Sequence, residues 1–570
     1  MEEAINLALK LVILVFSLII CSTNSYANND YKQTIKTINN EKLAVEALID
    51  QHSALFEPER INNAREQIAK VTEFIAKATE YTTLDDPMEV ELNLELAKLF
   101  LGRAYAQASR SFTVEERIIS LDAHTLSRLA LVGEMEVVID KIKNAGFNTI
   151  FVEVIRDDGY VVYPSEIMKQ ATELEGKDPL RDLVQLAQKR DLDVFPWLKV
   201  FFAAANGTPG PILEEHPEWT ALDRNGKGLD AYNLAWFSPA NIEARTFVKN
   251  YVLELWSQYD FAGCQLDYVR NAVNPLEDND FSYDQASLDL FYNLYGYNPL
   301  TLAYPSAAKR TQLEYIAGDF GSRWENWQAF REELVTSFVA QLSLQLKEVK
   351  PDKCVGAGIM TALWGGGTLQ QALFRQQNWP IWVERHLLEY LSPLVYQNET
   401  RVVIREVKSV REIAKERVLI YPSLGVQAMD APYNLLQQIE AVRDLGEVGM
   451  RVFAYPHMQE EHFKLLAEGP FRNNAYPPHR DLLKSSYQLL GEILANFTLD
   501  EEDYNDLDRL FKRLESALDA SPKQRYNLIR PFVKRTTQIA ERTIDKDLHL
   551  QLNRLSLMLT VYEYTNRSVI

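Results

Sequence analysis

Two periodicities divide the chain. From about residue 30 to 112, apolar positions recur at helical spacing, through Leu43, Ala47 and Leu48 and again through Ile68, Val71 and Ile75. Asp86-Pro87-Met88-Glu89 marks a helix start, a capping Asp with Pro at the first helical position. From about residue 116, short β-rich runs alternate with long amphipathic stretches. Runs at 117–121, 149–155, 192–200, 263–267, 354–360, 390–396, 417–424 and 450–455 predict strands. Helices are predicted between them at 134–144, 179–190, 239–259, 324–349, 369–386, 402–416 and 433–445, with a short one at 461–467 after the last strand. Eight strands alternating with helices over about 340 residues predict an α/β fold, a (β/α)8 TIM-type barrel. The alternative is an open doubly wound sheet. That fold usually needs a nucleotide-binding glycine turn after its first strand, and Leu121-Asp122-Ala123-His124 is not one. Gly365-Gly366-Gly367 lacks the Lys-Ser/Thr of a phosphate loop and reads as a flexible loop. Helical spacing returns at 482–496, 501–518, 523–539 and 545–562. The expected layout is a helical domain at 28–115, the barrel at 116–460 and a C-terminal α-helical region at 461–570.

One apolar run stands outside this pattern. Residues 11–21 follow Lys10 and precede Ser25-Tyr26-Ala27, and they are about half as long as a bilayer-spanning helix. Residues 1–27 read as a secretory signal peptide cleaved after Ala27, which places the mature chain in the periplasm or outside the cell with no membrane attachment. A retained N-terminal anchor is the alternative. Hydrophobic residues at 46% and charged residues at 25% describe a soluble globular protein. Lys and Arg number 60 against 80 Asp and Glu, a formal charge of -20. Such a surface repels phosphate backbones, so nucleic acid is not an expected partner, while neutral ligands stay open. Beyond the leader only Cys264 and Cys354 remain, read as buried free thiols with a disulfide as the alternative. Two cysteines and 8 scattered histidines offer no metal-ligand spacing, so neither metal nor cofactor is expected. Oligomeric state is not readable.

Barrels of this kind carry their active sites at the C-terminal ends of the strands. The polar residues there are Asp122, Glu153, Arg156, Lys199, Asp267, Arg270, Tyr396 and Glu399. Asp267 ends an apolar strand and suits a nucleophile or a stabiliser of an oxocarbenium ion, with Arg270 close enough to keep it ionised; a structural Asp paired with Arg270 is the alternative. A second acid must protonate the leaving oxygen, and Glu153 and Glu399 are the candidates. Glu153 alternatively forms a buried salt bridge to Arg156 or Lys199, and Glu399 a solvated loop position. Asp122, Arg156, Trp197, Lys199, Arg270 and Tyr396 complete the set as substrate-binding candidates. Aromatic side chains stack on sugar rings, and the loop after the fourth strand supplies Phe281, Tyr283, Phe291, Tyr292, Tyr295, Tyr297 and Tyr304, with Trp219, Trp236 and Trp364 elsewhere. An aromatic core explains them equally well.

Several of these stretches, taken in order, carry a family resemblance. They include 148–153 with Gly159-Tyr160-Val161-Val162-Tyr163-Pro164-Ser165, then Asp178-Pro179-Leu180, Trp197 with Val200-Phe201, and His216-Pro217-Glu218-Trp219. Ser238-Pro239-Ala240-Asn241, Gln265-Leu266-Asp267-Tyr268-Val269-Arg270 and Ser392-Pro393-Leu394-Val395-Tyr396 follow. The barrel resembles the glycosyl hydrolase-like 10 family, (β/α)8 proteins of bacteria. The resemblance implies glycoside hydrolysis of a cell-wall or extracellular polysaccharide, peptidoglycan glycan among them, and places Asp267 at the strand-end acid that the family shares. A barrel that binds or scaffolds carbohydrate without catalysis is the alternative. Three departures stand out: Ala262-Gly263-Cys264 replaces the family's Asp-Gly-Ile, Asn271-Ala272 replaces Tyr-Pro after Arg270, and Glu399 stands where relatives tend to have Asp. Unlike α-amylase-like barrels, the chain has no carboxylate after its fifth strand, where Thr361-Ala362-Leu363-Trp364 stands.

Overall fold

The computed structural model describes residues 24–566 apart from 54, 273–279, 303–321 and 362–372, and the side chains of 24–29 and 322 lie outside the description. The leader reading therefore lies outside the described residues as far as residue 23, and the glycine run at 365–367, Trp364 and Tyr304 lie outside them entirely.

The chain forms two compact units, one of residues 1–112, 429–441 and 458–474 and one of residues 113–428, 442–457 and 475–570. The first is built on three long helices, Asn24–His52, Pro58–Thr83 and Pro87–Ala108. Asp86 caps the third as its sequence announces, accepting from the Glu89 amide at 3.2 Å with Pro87 in the first turn. Phe74 and Phe100 stack at 5.4 Å in its core.

The second unit is the barrel. Its strands are β1 (Glu116–Leu121), β2 (Thr149–Glu153), β3 (Asp193–Lys199), β4 (Gly263–Asp267), β5 (Cys354–Ile359), β6 (Tyr390–Val395), β7 (Leu419–Ile420 and Ser423–Gly425) and β8 (Gly449–Phe453). All pair in parallel in chain order, and β8 returns to β1 with Glu116 opposite Gly449, closing the sheet. The expected seventh strand is broken at Tyr421-Pro422, because Pro cannot donate to the ladder. Two glycines on β5 make room for larger neighbours: a Cβ on Gly356 would meet the Tyr390 ring at 2.2 Å. Phe151, Phe195, Tyr390 and Tyr421 fill the lower barrel and join one apolar cluster with the C-terminal helices Leu482–Asn496, Glu501–Leu518, Pro522–Arg542 and Lys546–Asn566.

Buried charges fasten this closed end. Glu115 takes Arg443 Nε at 2.7 Å and Arg117 Nε at 2.8 Å; burial pushes its carboxyl up, but the two guanidinium groups prevail and hold it at about 2. His479 lies 2.6 Å from Glu116 and 3.1 Å from Asp193, at the starts of β1 and β3. Cys264 and Cys354 are free and buried. Gly263, not Cys264, faces Cys354 across the β4–β5 ladder, so the two thiols lie on opposite faces of the sheet and no disulfide joins them.

Candidate active site

Asp267 closes β4, and the chain turns sharply after it, with Tyr268 at φ +52°. The carboxylate is buried and held at both oxygens. Trp197 Nε1 on β3 donates to Oδ2 at 2.8 Å, and the Tyr268 amide donates to Oδ1 at 2.7 Å. Gly358 on β5 leaves the space they need: a Cβ there would sit 3.2 Å from Asp267 Cγ and 3.1 Å from Gln265 Nε2. Arg270 does not pair with Asp267. Its guanidinium lies 4.5 Å from the Trp236 ring and 5.5 Å from Tyr268, and Nη1 donates to the Asn271 carbonyl at 3.2 Å.

Glu153 ends β2 and is also buried. Its Oε2 accepts from the Ala123 amide at 2.9 Å, and its Oε1 lies 2.6 Å from Lys199 Nζ. Of the sequence alternatives for its partner, Lys199 is the one realised. Burial pushes the Glu153 carboxyl up and the Lys199 ammonium pulls it back, with burial prevailing. Lys199 has the opposite balance: burial depresses it, Glu153 more than compensates, and the ammonium ends above its ordinary range. Lys199 also reaches Asp157 at 3.1 Å and lies 4.4 Å from the Phe202 ring. Glu153 is in register with Trp197, and Lys199 with Asp267, so one strand separates the two acids. Glu153 is thus level with Gln265, two residues before Asp267, and two strand spacings with two residues of rise put the two backbones about 12 Å apart. The Tyr268 hydroxyl responds to both of them: burial raises it, Asp267 and Glu153 add to that, and Lys199 and Arg270 oppose it.

Tyr396, at the end of β6, stacks on Phe453 at 4.8 Å, and burial pushes its hydroxyl up. Three candidates lie differently. Glu399 is exposed at the start of helix Thr400–Ala414 and paired with Arg401 at 2.5 Å, which lowers its carboxyl; it lacks the burial that makes a carboxyl an acid near neutrality. Asp122 caps helix Ala123–Val132, accepting from the Thr125 amide at 2.8 Å and its hydroxyl at 2.7 Å. Arg156 turns from Glu153 to Asp158, at 2.6 Å, and Glu173. Among the loop aromatics, Phe281, Tyr283 and Phe291 are buried, and Tyr283 and Phe291 pack in a cluster with Trp324 and Trp327, so all three are core rather than a sugar-facing surface. Tyr292 and Tyr295 are exposed, and Trp219 is buried with His216 stacked on it at 3.8 Å.

Three neighbours escaped sequence reasoning. The long connection after β3 forms a hairpin, Phe202–Ala204 with Ala235–Trp236, and carries Asp230. Burial raises the Asp230 carboxyl, which accepts from Trp236 Nε1 at 2.9 Å and from the Tyr232 amide at 2.8 Å. The Asp-rich, Gly-rich run 223–230 was its one signal. Arg375 is buried, and burial together with Arg270 pulls it down to about 9. Arg451 on β8 is fully buried inside the barrel; within a strand pattern a lone Arg reads as an outward position. Among the described residues no group of three or more His, Cys, Asp or Glu is arranged to hold a metal ion.

The profile of the glycosyl hydrolase-like 10 family matches residues 125–437. Glycosyl hydrolase DigH of Escherichia coli K12 is 24% identical over 302 residues, 47% of this chain and 58% of DigH, and the Shigella flexneri DigH aligns equally. The chain thus spans little more than half the length of these curated relatives. Among solved structures, the β-amylase catalytic domain of Paenibacillus polymyxa aligns at 10% identity and a TM-score of 0.45, covering 62% of this chain and 95% of that one. The β-galactosidase of Marinomonas ef1 aligns at 12% identity and 0.43, covering 74% and 68%. With the family profile running from the helix after β1 to the helix after β7, across both buried carboxyls, the chain belongs to the glycosyl hydrolase-like 10 family.

Proposed function

We propose that the chain is an exported glycoside hydrolase acting on a cell-wall or extracellular polysaccharide, with Asp267 and Glu153 as its carboxyl pair. The observation that carries this reading is the pairing of environments at the barrel mouth. Asp267 is fixed by two N–H groups, one on each oxygen, while burial raises the Glu153 carboxyl above its ordinary range, in the direction a proton donor needs. Glu153 protonates the leaving oxygen. Backbones about 12 Å apart leave room for a water between the two side chains, so Asp267 serves as the base that activates it, the inverting arrangement. Trp197 and Tyr268 orient Asp267, while Ala123 and Lys199 orient Glu153. Export rests on the leader pattern of residues 1–27 alone.

One observation favours a second reading, a barrel that binds carbohydrate without cleaving it: both Glu153 oxygens are already engaged, one by Ala123 and one by Lys199. Reducing-end release from peptidoglycan and a panel of bacterial polysaccharides separates the two. Hydrolysis predicts release by the wild type and a loss of about 100-fold or more in folded Asp267→Asn. Release unaffected by Asp267→Asn removes Asp267 from the chemistry. Binding without release establishes the second reading.

A further inference from the structure

Arg451 is the central residue of β8, and its side chain lies wholly inside the barrel. Its Nε donates to Ser120 Oγ on β1 at 2.6 Å. Its guanidinium carbon sits 4.8 Å from the Trp197 ring centre, 5.3 Å from Phe151 and 5.4 Å from Phe453. Nη1 and Nη2 are buried, with no hydrogen-bond partner among the described residues. Guanidinium stays protonated throughout the working range of proteins. The barrel therefore encloses a permanent positive charge met by a hydroxyl and three ring faces. Buried charges are ordinarily paired with a carboxylate, and departures from that rule concentrate at functional sites.

One contact and one shared neighbour show where this charge acts. Trp197 receives the guanidinium on its ring and donates its Nε1 proton to Asp267 Oδ2 at 2.8 Å. The Tyr396 hydroxyl, raised by burial, is pulled down by Arg451 and pushed up by Asp267, so it lies within the field of both. Among the described residues, Lys199, Tyr268, Arg270 and Tyr396 are the other charged or titratable groups facing Asp267, and Glu153 meets it through its effect on Tyr268. The cations among them are already engaged, Lys199 by Glu153 and Asp157, and Arg270 by the Asn271 carbonyl and two ring faces.

We propose that Arg451 is a positioning residue for Asp267: it fixes the Trp197 indole so that its N–H meets the carboxyl group, and its charge acts on Asp267 across that ring. The catalytic part of this inference rests on the reading of Asp267 given above; the electrostatic link between the two side chains does not. A residue kept for structure destabilises the fold when removed. A charge kept for its field does the reverse, since taking an uncompensated charge out of an apolar interior relieves the fold.

The test compares Arg451→Met and Arg451→Gln, which remove the charge, with Arg451→Lys, which keeps it. Three quantities are measured: the thermal midpoint, the pH profile of reducing-end release, and the pH titration of the Trp197 indole resonance in protein labelled with 15N-tryptophan. The resonance is assigned with Trp197→Phe and needs no activity. The neutral variants are expected to melt no lower than wild type, to move the Trp197 titration upward by about one pH unit, and to carry the acid limb of hydrolysis with it. Arg451→Lys is expected to stay closer to wild type in all three. Neutral variants that melt lower and leave the Trp197 titration in place overturn the inference. Hydrolysis unaffected by Asp267→Asn removes the catalytic reading alone, because the titration still decides whether Arg451 acts on Asp267.

Discussion

Single buried groups in this barrel differ in whether a counter-charge answers them. Glu115, held at about 2 between Arg443 and Arg117, is answered twice. Glu447, just before β8, is hardly answered: both its oxygens are buried without a hydrogen bond, and the nearest cation, Arg411, stands 3.7 Å away. Burial raises its carboxyl to about 7 against the pull of Arg411. The sign follows. The unfolded chain gives up this proton near the ordinary glutamate value of 4.5 while the folded chain retains it, so stability falls as pH rises from about 4.5 to 7 and stays reduced above that. The loss is on the order of 3 kcal/mol. Glu447→Gln is accordingly expected to raise the thermal midpoint at pH 8 by several degrees and to change little at pH 4, in melts followed by circular dichroism. Equal midpoints at pH 8 would show that the carboxyl is solvated in the folded state.

At the scale of elements, the inner face of β5 tests whether the site or the fold depends on missing side chains. Gly356→Ala drives a Cβ into the Tyr390 ring and is expected to cost about 1–3 kcal/mol or more in denaturant unfolding. Gly358→Ala meets the softer pair Asp267 and Gln265 and is expected to spare the fold while hydrolysis falls at least tenfold. Reversal of that pattern would sever Asp267 from activity. The alternation of strands and helices was readable because parallel barrel strands are apolar runs and their helices carry one apolar face. So was the placing of Asp267, Glu153, Trp197 and Lys199 near strand ends, which in a barrel face a known place. Asp122, Arg156 and Glu399 are engaged by local partners that spacing does not show. Spacing brings a residue to the mouth but does not say which group claims its side chain: a helix N-terminus takes Asp122, and nearer ion-pair partners take the others. Arg451 was hidden because its partner Ser120 lies 331 residues away, and Asp230 because its bonds, to Tyr232, Leu234 and Trp236, stay within a loop whose turn residues announce no strand.

Across the whole second unit, the charges at the closed end of the barrel set a pH window for stability. His479 introduces the C-terminal helices and meets Glu116 on β1 and Asp193 on β3, with Phe195 against its ring edge at 4.8 Å. Burial depresses the imidazole, but Glu116 and Asp193 more than offset this and carry it to about 9. A raised folded value means that the stabilisation is complete below the unfolded value of about 6.5 and disappears as pH climbs through 9, a change of roughly 3 kcal/mol. Asp193 acts in the other direction. Burial works against its ionised form, but His479 and Arg480 lower its carboxyl, so its contribution is present above about 3.8 and is lost as acid protonates it. Glu115 behaves likewise from about 4.5 down to 2. Stability is therefore expected to peak near pH 4 to 5 and to fall toward pH 9 in two stages, Glu447 first and His479 second. Urea unfolding at half-unit pH intervals checks this: His479→Gln should flatten the curve between pH 6.5 and 9 and leave the Glu447 stage below it intact. If the curve of His479→Gln still falls over the upper stage as the wild-type curve does, the barrel floor is not what couples stability to alkaline pH, and His479 holds its proton no more tightly in the folded chain than in the unfolded one.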